Sequence, residues 1–491
     1  MVTEPFERLG PEYASVGTSL DYYQRLNEIP LNHRKKIISA LNDVVANPEL
    51  VEKFKNEEGW EVSLFRDNHD WPGFLRDAGI LYAGSFSALP DINAEFGFKT
   101  NRKAEVINFN FNSPEPDDYD GPYRKIGPSR KKTLLPDRIV VLVGRNGSGK
   151  STLLSRLARV AFASPQERKT KEIESLGSLE PQSIGFMRVI TISYSAFDSF
   201  VVPGLASRDL SQIAEDIENG TGRFVFCGLR DIVAEAREDI SAAEKIDADT
   251  ALQHDSNSNV DRRTSTCLKS IDALAKEFGR LVSHIRKSDL KALFSAALGP
   301  LLGDPSFTEL NAQVEDLLDA EPAQAAKLFL TWSTGHKIAL HVVASLVANA
   351  KPRSLILFDE PETHLHPPLM AALMHSVRLV LSEQNAFCVV ATHSPVLLQE
   401  TLSQHVRYIR RVADNLEIRT PDLETFGENV GAITYNSFGL TASSTDYHKI
   451  LDLLVKGCES IEDIESAFPK GLSAQARAFI HSKFISKARN Q

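Results

Sequence analysis

The residues Gly144-Arg145-Asn146-Gly147-Ser148-Gly149-Lys150-Ser151 keep the spacing G-x-x-x-x-G-K-[ST], which suits a polyphosphate. The glycines let successive backbone N–H groups wrap an anion, and the start of a following helix adds partial positive charge. Lys150 is placed to reach the β- and γ-phosphates of ATP, and Ser151 to ligate Mg²⁺. Gly144, Asn146, Gly147, Ser148, Gly149 and Thr152 make up the rest of the expected cradle. Far downstream, Ser354-Leu-Ile-Leu-Phe-Asp359-Glu360-Pro361-Glu362 is an apolar run that ends in acids. A buried strand needs no acid at its tip. Asp359 there can hold the Mg²⁺ water shell, and Glu360 can polarise the attacking water as general base. Alone, such a tip is also compatible with a solvated acidic turn. A phosphate loop upstream favours the metal reading.

Two further strings fall in the order an ATPase of one particular class needs. Phe329-Leu-Thr-Trp-Ser333-Thr334-Gly335-His336-Lys337 precedes an apolar stretch from Ile338 to Asn349. Ser333 or Thr334 can cap that helix. The string also resembles the signature motif of ABC-type ATPases, where a Ser hydroxyl and a Gly amide meet the γ-phosphate held by the other subunit. Ala386-Phe-Cys-Val-Val-Ala-Thr392-His393-Ser394-Pro395 is a second buried run, ending in His. In the ABC class a His at that place senses the γ-phosphate.

As a set, these residues resemble the ABC-type heads of the RecF, SMC and OLD group. Asp359-Glu-Pro-Glu-Thr-His-Leu-His-Pro367 matches the DEPExxLHP form of that group. Ser333-Thr-Gly-His-Lys-Ile338, Ala391-Thr-His-Ser-Pro-Val-Leu-Leu-Gln-Glu400 and Glu424-Thr-Phe-Gly-Glu-Asn-Val-Gly431 are similar to the PtuA-like AAA-family ATPases of Septu-type antiphage systems. The resemblance implies an α/β P-loop ATPase head that homodimerises around two ATP molecules. Lys150, Ser151, Asp359, Glu360 and His393 would come from one chain, and Ser333, Gly335 and His336 from the other. It further implies a separate effector, an HNH-type nuclease subunit, in defence against phage. DNA is left as an open partner.

Two departures from the family stand out. ABC heads carry a Gln at the end of the strand after the phosphate-loop helix. Here Val189-Ile-Thr-Ile-Ser193 leads into Tyr194-Ser195-Ala196-Phe197-Asp198, without a Gln. Ser195 or Asp198 is left to take that place. Position 336 holds His where many relatives have Gln, which would make the contact sensitive to pH.

Elements must position these groups. Arg138–Val143 reads as a buried strand and Thr152–Ala158 as a helix packed by its Leu positions. His33–Val45 reads as a helix, Glu61–Arg66 as a strand opening the ATPase sheet, and Glu105–Phe111 as a half-buried strand. A strand over 222–230 precedes a charged helical lobe. There Leu268, Ile271, Ala275, Phe278, Val282 and Ile285 share a helix face, and Leu290–Leu298 forms a helix stopped by Gly299-Pro300. A helix over Pro395–Leu402 and a strand over Val406–Arg410 follow. The expected organisation is an N-terminal helical segment over 1–60 and a first core part over 61–205. A helical insertion over 206–325, a second core part over 326–420 and a helical C-terminal extension over 421–491 complete it. No D-x-D follows residue 400, as the Toprim nuclease of OLD proteins would require.

Composition narrows the class. The chain has 491 residues and a formal net charge of −10, which argues against a general nucleic-acid coat. Arg124, Lys125, Arg130, Lys131 and Lys132 cluster before the phosphate-loop strand, either as an anion-facing patch or as a solvated loop. Cys227, Cys267, Cys388 and Cys458 have neither zinc nor disulfide spacing. No apolar run is long enough to span a bilayer, and a cytoplasmic location is expected. His364 and His366 beside Glu362 tempt a metal reading; seam contacts or helix capping suit them better. Two other functions compete: a RecF-like DNA-repair head, and an assembly locked by ATP with little turnover.

Overall fold

The computed structural model describes residues 7–17, 22–23, 26, 29–66, 71–83, 95–100, 105–112, 135–163, 167–182, 184–203, 214–215, 217, 222–243, 261–412, 415–438 and 446–489. The basic cluster at 124–132 lies outside them, and so does most of the polar stretch Asp249–Arg263, which the sequence marks as a loop tip and of which 261–263 are described. Two compact units are present, Met1–Gly427 and Glu428–Gln491.

Ahead of the first strand the described residues include helices α1 (Leu31–Ala40), α2 (Pro48–Phe54) and α3 (Trp71–Ala83). Helix α1 ends earlier than the pattern suggested, because Asn42 adopts a left-handed conformation (φ 46°). Ile38 of α1 and Ala78 and Leu81 of α3 share one core, so this helical layer runs past residue 60. The strand expected at Glu61–Arg66 is instead a π-helical turn, Trp60–Leu64. Trp60 and Phe65 are both buried, five residues apart, and the Phe65 N–H donates to the Trp60 carbonyl. That burial period belongs to a π turn, not to an alternating strand.

Three antiparallel strands follow from two stretches: β1 (Glu95–Lys99), β2 (Ile107–Asn110) and, after the phosphate loop, β4 (Ser178–Glu180), in the order β2-β1-β4. Between them lie β3 (Ile139–Val143), α4 (Lys150–Phe162) and α5 (Lys171–Leu176). Then come β5 (Val189–Ser193), β6 (Phe224–Gly228) and α6 (Ile232–Ala243). The insertion continues with α7 (Ile271–Lys287), α8 (Lys291–Leu302), α9 (Asn311–Asp316) and α10 (Pro322–Thr331). The chain re-enters the core with α11 (Thr334–Asn349), β7 (Leu355–Asp359), α12 (Pro367–Gln384), β8 (Phe387–Thr392), α13 (Pro395–Gln399), β9 (Val406–Val412) and β10 (Asn415–Arg419).

The main sheet runs β10-β9-β3-β8-β7-β5-β6, parallel throughout except for the β9–β10 hairpin. Strands buried on both faces need continuous apolar sequence, and β3, Ile-Val-Val-Leu-Val, is buried at every residue. Leu153, Leu157 and Val160 of α4 pack on the sheet with the aromatic β1–β2 residues Phe96, Phe98 and Phe109. The main sheet thus makes this unit an α/β P-loop ATPase fold. In such sheets the ligand crevice lies at the carboxyl ends of the parallel strands.

Within the insertion, α7 buries Leu274, Ala275, Phe278, Val282 and Ile285. Leu268 and Ile271, expected on that face, are about half exposed, because the helix starts at Ile271 and its register selects Leu274 instead. Helix α8 does not stop at Gly299-Pro300. It continues through Pro300 to Leu302, where buried Leu298 and Leu301 offset the lost backbone bond. A buried ionic cluster ties the insertion to the core. His341 of α11 has Nδ1 2.6 Å from the Tyr194 hydroxyl and Nε2 3.6 Å from Glu277 of α7. Burial alone would lower the His341 pKa, but Cys227 and Glu277 outweigh it and raise it to about 9.

The second unit holds α14 (Val430–Phe438), α15 (Asp446–Gly457), α16 (Ile461–Ser466) and α17 (Ala474–Arg489). Leu451, Val455, Ile464 and Ile480 form its core, and a Ser460/Asp463 capping box starts α16.

Candidate nucleotide-binding and hydrolysis site

The phosphate loop joins the tip of β3 to α4. Gly144 has no room for a side chain, because a Cβ there would run into the Ile409 carbonyl of β9. Gly147 and Gly149 take positive φ values of 78° and 95°, which only glycine adopts without strain. Gly149 thereby caps α4 and aims the first helical N–H groups into the loop. Lys150 is only 4% exposed. Its Nζ donates to the Gly144 carbonyl (3.0 Å) and lies 2.7 Å from His393 Nε2. Burial lowers its pKa, and among the described residues no carboxylate forms an ion pair with it. The Ser148 hydroxyl is buried and has no hydrogen-bond partner among the described residues. A buried amine that makes no direct ion pair among the described residues, and a buried hydroxyl in a glycine cradle, fit an incoming phosphate chain.

Register brings the remaining groups to the same edge. Val143 pairs with Thr392, and Asp359 pairs with Ala391 on one side and Ser193 on the other. Ser151 Oγ donates to Asp359 Oδ1 at 3.0 Å. Burial pushes the Asp359 pKa up to about 7, helped by the nearby Glu360 and Asp198 carboxylates. A carboxylate so short of positive charge, touching a Ser hydroxyl, fits a divalent cation. Glu360 sits in the left-handed region (φ 48°), held by its N–H to the Ala391 carbonyl (2.8 Å). Non-glycine backbone of this kind costs about 1–3 kcal/mol and clusters at functional sites. Its Oε1 lies 3.8 Å from His393 Nε2.

The sequence offers Glu362 only as a fallback for the base Glu360, yet it builds the site in another way. One carboxylate oxygen accepts from the His393 N–H (2.6 Å) and the other from the Thr392 hydroxyl (2.8 Å). It pegs the tip of β8 so that the His393 ring meets Lys150. Its signal was the second acid of Asp359-Glu-Pro-Glu362. With both oxygens so engaged, Glu362 is poorly placed to act as a base.

A cavity of about 620 Å³ is lined in part by Asn146, Gly147, Gly149, Lys150, Ser151, Thr152, Glu360 and His393, and Asp359 lies in a second, small pocket that Ser151 also lines. Ser333, Gly335 and His336 lie outside it. Ser333 is exposed and caps α11, its Oγ accepting from the His336 N–H, while the His336 ring turns to Ser306 and Phe307. Burial lowers the His336 pKa. Of the two residues left to stand for the Gln, Ser195 accepts from the Phe197 N–H, outside the cavity. Asp198 shares a small pocket with Ser151 and Asp359 but is bonded to the Phe200 N–H and Arg230. His366 caps α12 by accepting from the Leu369 N–H. Among the described residues no group of three or more His, Cys, Asp or Glu is arranged to hold a metal, and no helix is long and apolar enough to cross a membrane.

Residues 249–399 match a family described as an AAA domain, putative AbiEii toxin, type IV toxin–antitoxin system. The chain is 27% identical to protein ea59 of Escherichia phage lambda over 509 aligned positions, covering 99% of this chain and 86% of that protein. A crystal structure of an SMC head bound to the C-terminal winged-helix domain of ScpA overlays 66% of this chain and 96% of its own, at 15% identity and a TM-score of 0.28. That overlay is too loose to assign any role. The AAA-domain match over residues 249–399 and the glycine cradle at the parallel strand tips support a nucleotide-binding ATPase domain.

Proposed function

We propose that the chain binds Mg–ATP between two copies of itself, hydrolyses it, and uses that cycle to control a separate nuclease of HNH type in antiphage defence. The observation that carries the ATPase reading is that Lys150, Ser151, Glu360 and His393 line one cavity, with Asp359 bonded to Ser151 beside it, while Ser333 is exposed outside it. In this reading Lys150 and the loop amides hold the β- and γ-phosphates, and Ser151 and Asp359 hold Mg²⁺, which neutralises phosphate charge. Glu360 takes a proton from the attacking water, and His393 donates to the γ-phosphate, its orientation fixed by Glu362. Ser333 and Gly335 of a second copy would complete the charge-stabilising shell, so that hydrolysis requires assembly.

Ser333→Arg tests that composite arrangement. A single chain should bind ATP as wild type does, because Ser333 is outside its own cavity. Hydrolysis and ATP-dependent self-association should both fall at least about tenfold, because a bulky cation would hold the heads apart. Wild-type turnover in this variant would reduce Ser333 to a helix cap.

The defence role rests on the resemblance to PtuA-like ATPases and on the toxin–antitoxin description of the matching family. On this reading the purified chain does not cut DNA. HNH and Toprim chemistry need a metal-activated water at a phosphate, and the only metal pair assigned is committed to ATP. Incubation of plasmid DNA with Mg²⁺, ATP and the chain alone should leave it intact, and cleavage should follow addition of a nuclease subunit. Cleavage by the chain alone, lost on mutating a carboxylate outside the ATP site, would contradict this and favour an OLD-like nuclease.

A further inference from the structure

The helical insertion sends a short segment back over the nucleotide cavity. Val201 N–H donates to the Asp261 carbonyl (3.0 Å) and Arg263 N–H to the Ser199 carbonyl (2.7 Å), so Phe200 and Arg262 face each other as an antiparallel bridge. Both residues line the cavity that holds Lys150 and Glu360. Phe200 also borders the small pocket shared by Ser151, Asp198 and Asp359, which places this bridge at the metal end of the phosphate loop.

Three charged side chains on this segment have different fates. Asp261 takes both guanidinium nitrogens of Arg156 on α4, at 2.9 and 2.7 Å. Arg263 grips Asp239 of α6 and lies 3.5 Å from Glu235, which in turn holds Arg230. Arg262 pairs with no carboxylate among the described residues. Its guanidinium carbon stands 4.5 Å over the Phe200 ring, and the residue is exposed to the cavity. An aromatic face holds a guanidinium in place and leaves its N–H groups free to donate. A triphosphate keeps excess negative charge even with Mg²⁺ and one lysine, and a planar guanidinium matches phosphate oxygens two at a time.

We propose that Arg262 is a second phosphate-contacting cation, acting in cis and supplied to the ATP site by the helical insertion. The inference rests on the nucleotide-binding reading of the cavity.

The test compares wild type, Arg262→Ala, Arg262→Lys and Lys150→Ala in the full chain. It uses calorimetric titration of ATP and of ADP with Mg²⁺, phosphate release and thermal melting. Arg262 is exposed, so the melting midpoint of Arg262→Ala should match wild type. Its ATP affinity should drop roughly tenfold or more with ADP affinity little changed, and its turnover should fall roughly 10- to 100-fold. Arg262→Lys, which keeps the charge and loses the fork, should fall between. An Arg262→Ala chain with the wild-type ratio of ATP to ADP affinity and wild-type turnover would overturn the proposal while Lys150→Ala still loses binding. Equal loss of both nucleotides with a lowered midpoint would overturn it too, by making Arg262 structural. If Lys150→Ala also binds like wild type, the nucleotide reading itself has failed.

Discussion

Lys150→Ala is expected to abolish tight ATP binding. The amine is buried, makes no direct ion pair among the described residues, and is held at the glycine cradle by the Gly144 carbonyl and His393. Charge-assisted hydrogen bonds contribute about 1.5–3 kcal/mol each, so losing two to the phosphates costs on the order of 100-fold or more in affinity. Calorimetric titration with Mg–ATP reads the loss directly. Lys150→Met, which keeps the apolar stem under the loop, should bind equally poorly, and this separates charge from packing. An unchanged dissociation constant in both variants would remove the phosphate loop from the nucleotide site.

Glu360→Gln should bind ATP normally and hydrolyse it roughly 10²- to 10⁴-fold more slowly, the usual cost of losing a general base. The amide keeps the shape of the side chain and cannot take the proton. The variant should also accumulate ATP-bound dimers, visible by size-exclusion chromatography with light scattering. Wild-type turnover would move the base elsewhere. Glu362 is a poor substitute, since its two oxygens hold His393 N–H and the Thr392 hydroxyl.

Much of this site was legible in the sequence because its chemistry is local. A glycine-rich turn between an apolar strand and a helix, and acids at the tip of an apolar strand, each carry their reason within a few residues. The sheet then had only to place Asp359 beside the strand that leads to His393, which the parallel register does. Other features depend on partners distant in sequence. Glu362 looked like one more acid of a turn, and only the fold shows it reaching across to β8. Arg262 lies within a polar stretch, Asp249–Arg263, that reads as a loop tip, and its stacking on Phe200 requires an insertion that returns to the core. The π turn at Trp60–Leu64 misled because Val62 and Leu64 suggest alternation, whereas aromatic packing of Trp60 and Phe65 decides the backbone. Helix α8 outlasts its proline for the same reason: burial of Leu301 outweighs a local breaker.

The most direct test of the central claim is steady-state phosphate release by wild type and Glu360→Gln, with Mg–ATP, over a range of protein concentrations. Two copies that complete each other's sites should give wild-type turnover per chain that rises with concentration as dimers form, with Glu360→Gln near background throughout. Turnover per chain that is independent of concentration down to dilutions where the chain is monomeric would contradict the composite site. Phosphate release equal in the two proteins would contradict hydrolysis at this cavity.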